Sequence, residues 1–269
     1  MDLLRRELAP ISPEAWAQID AEAARVLRLD LAGRKLVDFD GPHGWQHAAV
    51  NTGRLAPRTD GGLGVPWGLR EVVPLVEYRV PFDLPILELD GASRGAVLDL
   101  PLVIRAAERA ARAEDGAIFG GFKAGGLEGI IPTSPHPPVA IPDDYADYPA
   151  IVGEAVETLR RAGVNGPYAL ALGPDSFAGL AQAAEDGNPI RARVERFLDG
   201  PMVLAPAIDG AVLLSQRGGD YQLTVGHDLA IGYAGHDARE VHLFLTESFA
   251  FRVLDRSAAV YLKPKRARK

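Results

Sequence analysis

The chain has 269 residues, 29 Lys+Arg against 36 Asp+Glu for a net charge of −7, no cysteine and two methionines. Without cysteine there is no disulfide framework, thiolate nucleophile, Cys-ligated zinc or iron–sulfur cluster, and the reducing cytoplasm is the default setting. No run approaches the roughly 20 apolar residues of a membrane span, the acidic amphipathic start is unlike a signal peptide, and the acidic balance argues against a broad nucleic-acid surface.

The length suits one large domain or two ordinary ones. Ser12, Pro13 and Glu14 form a helix start, and Trp16, Ile19, Ala23, Val26 and Leu27 recur at helical spacing, so a helix with one apolar stripe is predicted to end near Gly33. From Gly41 to Gly68 the periodicity vanishes among residues such as Gly61, Gly62, Gly64 and Pro66. A structureless loop of that length is out of place inside a compact domain, so the stretch reads as an extended arm or a functional loop. Val72, Val76, Tyr78, Val80 and Phe82 then alternate with charged residues as a half-buried strand, in which Pro74 and Pro81 donate no ladder bond.

Asp99 and Pro101 open a second predicted helix through Ala113, with a small-residue face from Ala106, Ala107 and Ala110. Six prolines between Pro132 and Pro149 make a rigid connector and a candidate domain boundary. Beyond it, Pro149 to Arg161 reads as a helix stopped by Gly163, Tyr168 to Leu172 as a buried strand, and Pro174 to Glu185 as another helix. The remainder is mostly strand: Met202 to Ala205, Ala211 to Ser215, Tyr221 to Val225, Leu229 to Tyr233, and a long run from Val241 to Val253. Glu247 interrupts the apolar face of that run and calls for a partner across a sheet or a subunit boundary. The basic end, Lys263, Lys265, Arg266, Arg268 and Lys269, reads as a solvated terminus.

Candidate chemistry is thin. Gly91-Ala92-Ser93-Arg94-Gly95 fits the nucleophile elbow of a serine hydrolase, with His236 or His242 downstream, and Ser93 as nucleophile is the alternative reading of the chain. It fails on context, because an elbow serine sits between a strand and the helix whose amides stabilise the oxyanion, and here the next helix starts near Asp99. Gly120-Gly121-Phe122-Lys123-Ala124-Gly125-Gly126 lacks the Gly-Lys-Ser/Thr end of a phosphate loop, and Gly62-Leu63-Gly64 lacks the third glycine of a dinucleotide loop. His43 and His47 are four apart, but Gly41, Pro42 and Gly44 oppose a helix there, so no metal pair is assigned. No catalytic constellation is predicted.

Taken together, certain motifs resemble the encapsulins, the linocin-type shell proteins of bacterial nanocompartments. They are Leu8-Ala9-Pro10, Trp16-x-x-Ile19-Asp20, Gly33-Arg34-Lys35 with Val37-Asp38 and Gly41-Pro42, and Glu114-Asp115 before Ile118-Phe119-x-Gly121. Later come Gly166-Pro167-Tyr168, Ala205-Pro206-Ala207-Ile208, Arg217-Gly218-Gly219-Asp220, Asp228 through Tyr233, and Glu247-Ser248-Phe249-x-Phe251. The resemblance implies an α+β fold of the HK97 phage major capsid type. In it, residues 1–48 and 73–133 form a peripheral domain with a spine helix, 49–72 an E-loop, 134–222 an axial domain, and 223–269 the peripheral C-terminal strands and basic tail. It implies a non-enzymatic, icosahedral homo-oligomer, with the smallest T=1 form favoured. Inside would be a cargo enzyme, a dye-decolourising peroxidase or a ferritin-like protein, held by its C-terminal targeting peptide. By motif match, Arg34, Asp38, Asp228, Ile231 and Tyr233 bind that peptide; the competing reading is that they merely hold helix to sheet. On the first reading Ile231→Asp leaves shells intact but empty. Asp186, Gly187 and Asn188, in the turn after the Pro174 helix, would line a fivefold pore; the competing reading is an ordinary polar turn. Where some shells of the family carry a flavin-binding tryptophan, the corresponding strand here reads Leu84-Pro85-Ile86-Leu87, so no cofactor is expected, and neither nucleic acid nor membrane is an expected partner.

Overall fold

The computed structural model describes residues 3–58, 65–185 and 188–265. Ser12 Oγ accepts from the Ala15 N–H at 3.2 Å and starts helix α1 (Pro13–Asp30), whose Ala15, Ile19, Ala23 and Val26 are buried as their spacing predicts. The helix stops at Asp30, ahead of Gly33, because Gly33 lies against Asp115 and Ile118 in a separate short turn. β1 (Asp38–Asp40) follows, and then the aperiodic stretch folds into an antiparallel hairpin, β2 (Ala49–Arg58) and β3 (Trp67–Pro74). Gly53, at φ +75°, sits where the hairpin register shifts between Asn51 and Leu55. The sequence run Gly62-Leu63-Gly64 lies outside the described residues.

β4 (Val76–Pro85) turns Val80, Phe82 and Leu84 inward, whereas Val72, grouped with them by alternation, is an exposed residue of β3. Pro85 ends the strand, so Ile86 and Leu87 begin a helix, α2 (Ile86–Ser93), and do not continue as strand. α3 (Pro101–Gly120) is preceded by Leu100, not capped by Asp99, whose N–H donates instead to Glu88 Oε1 at 3.0 Å. It also runs past Ala113 to Gly120, where Gly121 at φ +81° ends it.

The connector holds α4 (Ile130–Thr133) and β5 (Val139–Ala140), and leads to α5 (Tyr148–Arg161), stopped near Gly163 at φ +77°. β6 (Tyr168–Leu172) is buried throughout. α6 (Pro174–Gln182) is shorter than its apolar pattern suggests, because the chain turns extended at Ala183 into the small hairpin β7 (Ala184–Glu185) and β8 (Asn188–Pro189). Then come α7 (Ile190–Glu195), β9 (Asp199–Leu204), β10 (Ala211–Ser215), β11 (Tyr221–Val225), β12 (Ala230–His236), β13 (Glu240–Val253) and β14 (Ala259–Lys263).

Two five-stranded sheets organise the chain. In the first, β13 pairs with β4 along one edge and with β11 and β12 along the other, and β1 extends it beside β11. α1 and α3 cover one face, sharing a core with Val80, Phe82, Ile231, Val241 and Leu243. The second sheet runs β5-β14-β10-β6-β9 and packs with α5 over Leu170, Leu213 and Val260. The C-terminal strands therefore part company: β12 and β13 stay in the first sheet, but β14, grouped with them in the sequence division 223–269, pairs with β10 in the second. Among the described residues no helix is long and apolar enough to cross a membrane.

Candidate functional site: a buried ionic joint beside a groove on helix α1

Glu247 finds its partner within the chain. The short turn Gly33–Lys35 places Arg34 over α3, where Arg34 Nη2 lies 2.7 Å from Glu114 Oε2 and 2.5 Å from Glu247 Oε1, and Nη1 lies 2.9 Å from Asp228 Oδ1. Tyr78 of β4 donates its hydroxyl to Glu247 Oε2 at 2.9 Å. One guanidinium thus serves three carboxylates, of which Glu114 and Glu247 are wholly buried. Burial opposes the Arg34 charge, but its hydrogen bonds with Glu114 and the charges of Glu114, Glu247 and Asp228 outweigh it and raise its pKa. Glu247 is pushed well above the carboxylate range by burial and by neighbouring Glu114, against the opposing effects of Arg34 and Tyr78. The joint ties α3, β4, β13, the α1–β1 turn and the β11–β12 turn together.

The adjacent residue holds that turn in place. Asp115 accepts from the Ala32 and Gly33 N–H groups, each at 2.8 Å. A Cβ on Gly33 would stand 2.5 Å from Ile118 Cδ1, so glycine lets the turn approach α3 without displacing that buried side chain. Burial pushes the Asp115 pKa up to about 7, although both backbone bonds lower it. The native chain therefore holds this proton over a range where an unfolded carboxyl, titrating near ~3.9, has released it. The resulting stability is present below that value and is lost as pH rises through about 7. Asp115→Asn is expected to shrink the fall in thermal midpoint between about pH 4 and pH 7, with Glu247 still contributing in the same direction. An unchanged pH profile would mean that Asp115 is ionised throughout.

Beside the joint lies a groove of about 390 Å³ whose walls come from Ala24, Leu27 and Arg28 of α1, from Leu31 just past its end, and from Lys35, Asp228 and Leu229. The structure brings two of the sequence-predicted residues to it directly, Arg34 and Asp228, joined as an ion pair. Ile231 and Tyr233 belong to the core beneath, at 3% and 9% exposure. An aspartate at Ile231 would bury a charge in that core and disturb folding itself, so Ile231→Asp cannot be expected to leave intact, merely empty shells. Asp38 is not in the groove: its Oδ2 accepts from Gly219 N at 2.6 Å and ties β1 to the Arg217–Asp220 turn. Leu27, Leu31 and Leu229 were missed by motif matching, although Ala24, Leu27, Arg28 and Leu31 show the three- and four-residue spacing of one helix face.

Of the pore residues, Asn188 is exposed on β8, while Asp186 and Gly187 lie outside the described residues, as do Arg266, Arg268 and Lys269 of the basic end. Glu185 pairs with Arg193, so its charge is balanced within the chain. Ser93 is the exposed last residue of α2 and not a strand-to-helix elbow. His236 Nδ1 meets the Tyr233 hydroxyl, and His242 Nδ1 meets Asp83 at 2.7 Å.

The fold is shared with capsids. The virus-like particle from Pyrococcus furiosus superposes with a TM-score of 0.64 at 15% identity, over 93% of this chain and 100% of that one. The capsid of Myoviridae phage XM1 gives 0.55 at 15%, over 88% and 92%. The chain thus has the α+β HK97 fold of phage capsid proteins. The family described as "encapsulating protein for peroxidase" matches residues 1–250. The type 1 encapsulin shell protein of Rhodospirillum rubrum is 46% identical over 98% of this chain and 97% of its own length. That of Mycobacterium tuberculosis is 42% identical over 97% and 99%. The chain belongs to the encapsulin shell protein family.

Proposed function

We propose that copies of this chain close into the smallest icosahedral shell, of T=1 form, in the cytoplasm and enclose an enzyme that carries a C-terminal targeting peptide. A dye-decolourising peroxidase or a ferritin-like protein is the expected cargo. In this reading the first sheet with α1 and α3 is the peripheral domain, β2–β3 the E-loop, and the second sheet with α5, α6 and α7 the axial domain, to which β14 returns. Asp186, Gly187 and Asn188 would line a pore where axial domains converge.

The observation that supports the cargo reading is the groove: Leu27, Leu31 and Leu229 offer apolar walls, and Arg28 and Lys35 give its rim positive charge. Arg34, held by three carboxylates, shapes the floor and is not a free cation for the peptide. Leu27 is partly buried and packs on the edge of the core shared by α1 and α3, so Leu27→Asp puts a charge in the groove at some cost in stability, to be checked by the thermal midpoint. Shells of normal size are expected, with co-purification of a fluorescent protein bearing a peroxidase C-terminal peptide reduced by about tenfold or more, the equivalent of about 1.4 kcal/mol. Undiminished loading would remove the groove from cargo capture.

A further inference from the structure

One cluster of side chains belongs neither to the ionic joint nor to the groove. Val241, Leu243 and Leu245 of β13 face the core shared with α1 and α3, so Glu240 and His242, alternating with them, stand on the other face of the sheet. Asp83 of β4 is the direct antiparallel partner of His242 and shares that face. One ligand atom from each of Asp83, Glu240 and His242 lies within 4.8 Å of the other two. His242 Nδ1 is 2.7 Å from Asp83 Oδ1, and its Nε2 is 3.9 Å from Asp237 Oδ2 in the β12–β13 turn. Asp237 is fixed there, because its Oδ1 accepts from the Arg239 and Glu240 N–H groups at 2.7 and 2.9 Å.

We propose that Asp83, Glu240 and His242 form a binding site for a divalent transition-metal ion of the zinc class. Three carboxylates, those of Asp83, Asp237 and Glu240, surround one imidazole, so the negative charge gathered there suits a cation. An ion bound through Nδ1 replaces the proton shared with Asp83, and the Nε2–H then donates to Asp237. In that arrangement a carboxylate fixes the tautomer of a metal-bound imidazole. Bond lengths of about 2.0–2.2 Å require the three side chains to close in on the ion. Asp83 and His242, at 52% and 40% side-chain exposure, have room to move. The imidazole selects zinc, cobalt or nickel over magnesium and calcium, which prefer oxygen donors alone.

The test uses untagged, chelator-treated full-length protein in its assembled form, titrated with CoCl₂ and then ZnCl₂. About one ion per chain is expected, with cobalt absorption bands in the visible that zinc abolishes and excess magnesium does not. His242→Ala and Asp83→Asn, both at the surface, are expected to lose the bands while particle size is unchanged, and Asp237→Asn to weaken binding about 10–100-fold. His43→Ala, at the other imidazole–carboxylate pair, is expected to leave the bands unchanged. Uptake far below one ion per chain, or bands that survive His242→Ala, would overturn the assignment.

Discussion

Arg34→Met is expected to destabilise the folded chain by about 3–5 kcal/mol, because it leaves two buried carboxylates with no cation. Glu114 and Glu247 have no side-chain exposure, and the guanidinium that Met would replace lies within 2.7 Å of both. Without it, one carboxyl or both must be protonated, while the Tyr78 hydroxyl still reaches Glu247 Oε2 and Ala110 O. Arg34→Lys is expected to rescue little, since one ammonium has neither the planar fork nor the span to meet three carboxylates from different elements. The double variant Arg34→Met with Glu247→Gln is expected to recover part of the loss, as it removes one of the two buried acids left without a cation. Denaturant midpoints for the two singles and the double give the coupling. A loss below about 1 kcal/mol for Arg34→Met would show that the joint is dispensable to folding and would reopen Arg34 as a residue kept for the peptide.

That joint also shows how far the sequence could be read. Glu247 was visible as an anomaly, one acid on an otherwise apolar face, and a demand for a partner followed from desolvation alone. Its partner was not visible, because Arg34 and Glu114 are brought to it only when α3 packs across β4 and β13. β6, β10 and β11 were legible to the residue, being continuous apolar runs between turn residues. α2 was not: Leu87 points to solvent at 82% exposure while Leu89 and Ala92 are buried, too weak a stripe over eight residues to oppose a strand reading. Motif matching placed Arg34 and Asp228 at one ion pair but treated Ile231, Tyr233 and Asp38 as equivalent to them. Whether a residue lines a groove, floors it from within the core or ties down a distant turn depends on side-chain direction and tertiary contact, which a motif does not carry. The arm lacked a period for a related reason. β3 buries neither face within its own chain, so nothing imposes alternation on it.

Replacing Leu55, Leu69 and Val72 together by Lys is accordingly expected to abolish assembly while leaving the subunit folded. These residues are 61%, 52% and 46% exposed on a two-stranded hairpin, and such a ribbon is marginal by itself in water. Its base is secured by Leu75 N–H to Ala48 O at 2.9 Å and by Arg252 Nη1 to Asn51 O at 2.9 Å, so Leu55 and Leu69 lie beyond the anchors, Val72 pairs opposite Asn51 at the outer one, and all three are outside both cores. Covering a leucine or valine is worth about 1.5–3 kcal/mol, and a closed shell repeats the same contact at every copy. A modest loss per contact therefore becomes a large one for the particle. Size-exclusion chromatography is expected to show small species in place of shells, negative-stain images no particles, and far-UV circular dichroism a spectrum close to that of the parent subunit. Shells of ordinary size from the triple variant would mean that the exposed apolar side chains of the arm are not covered by neighbouring copies. The closure of the shell would then have to rest on the two sheet domains alone.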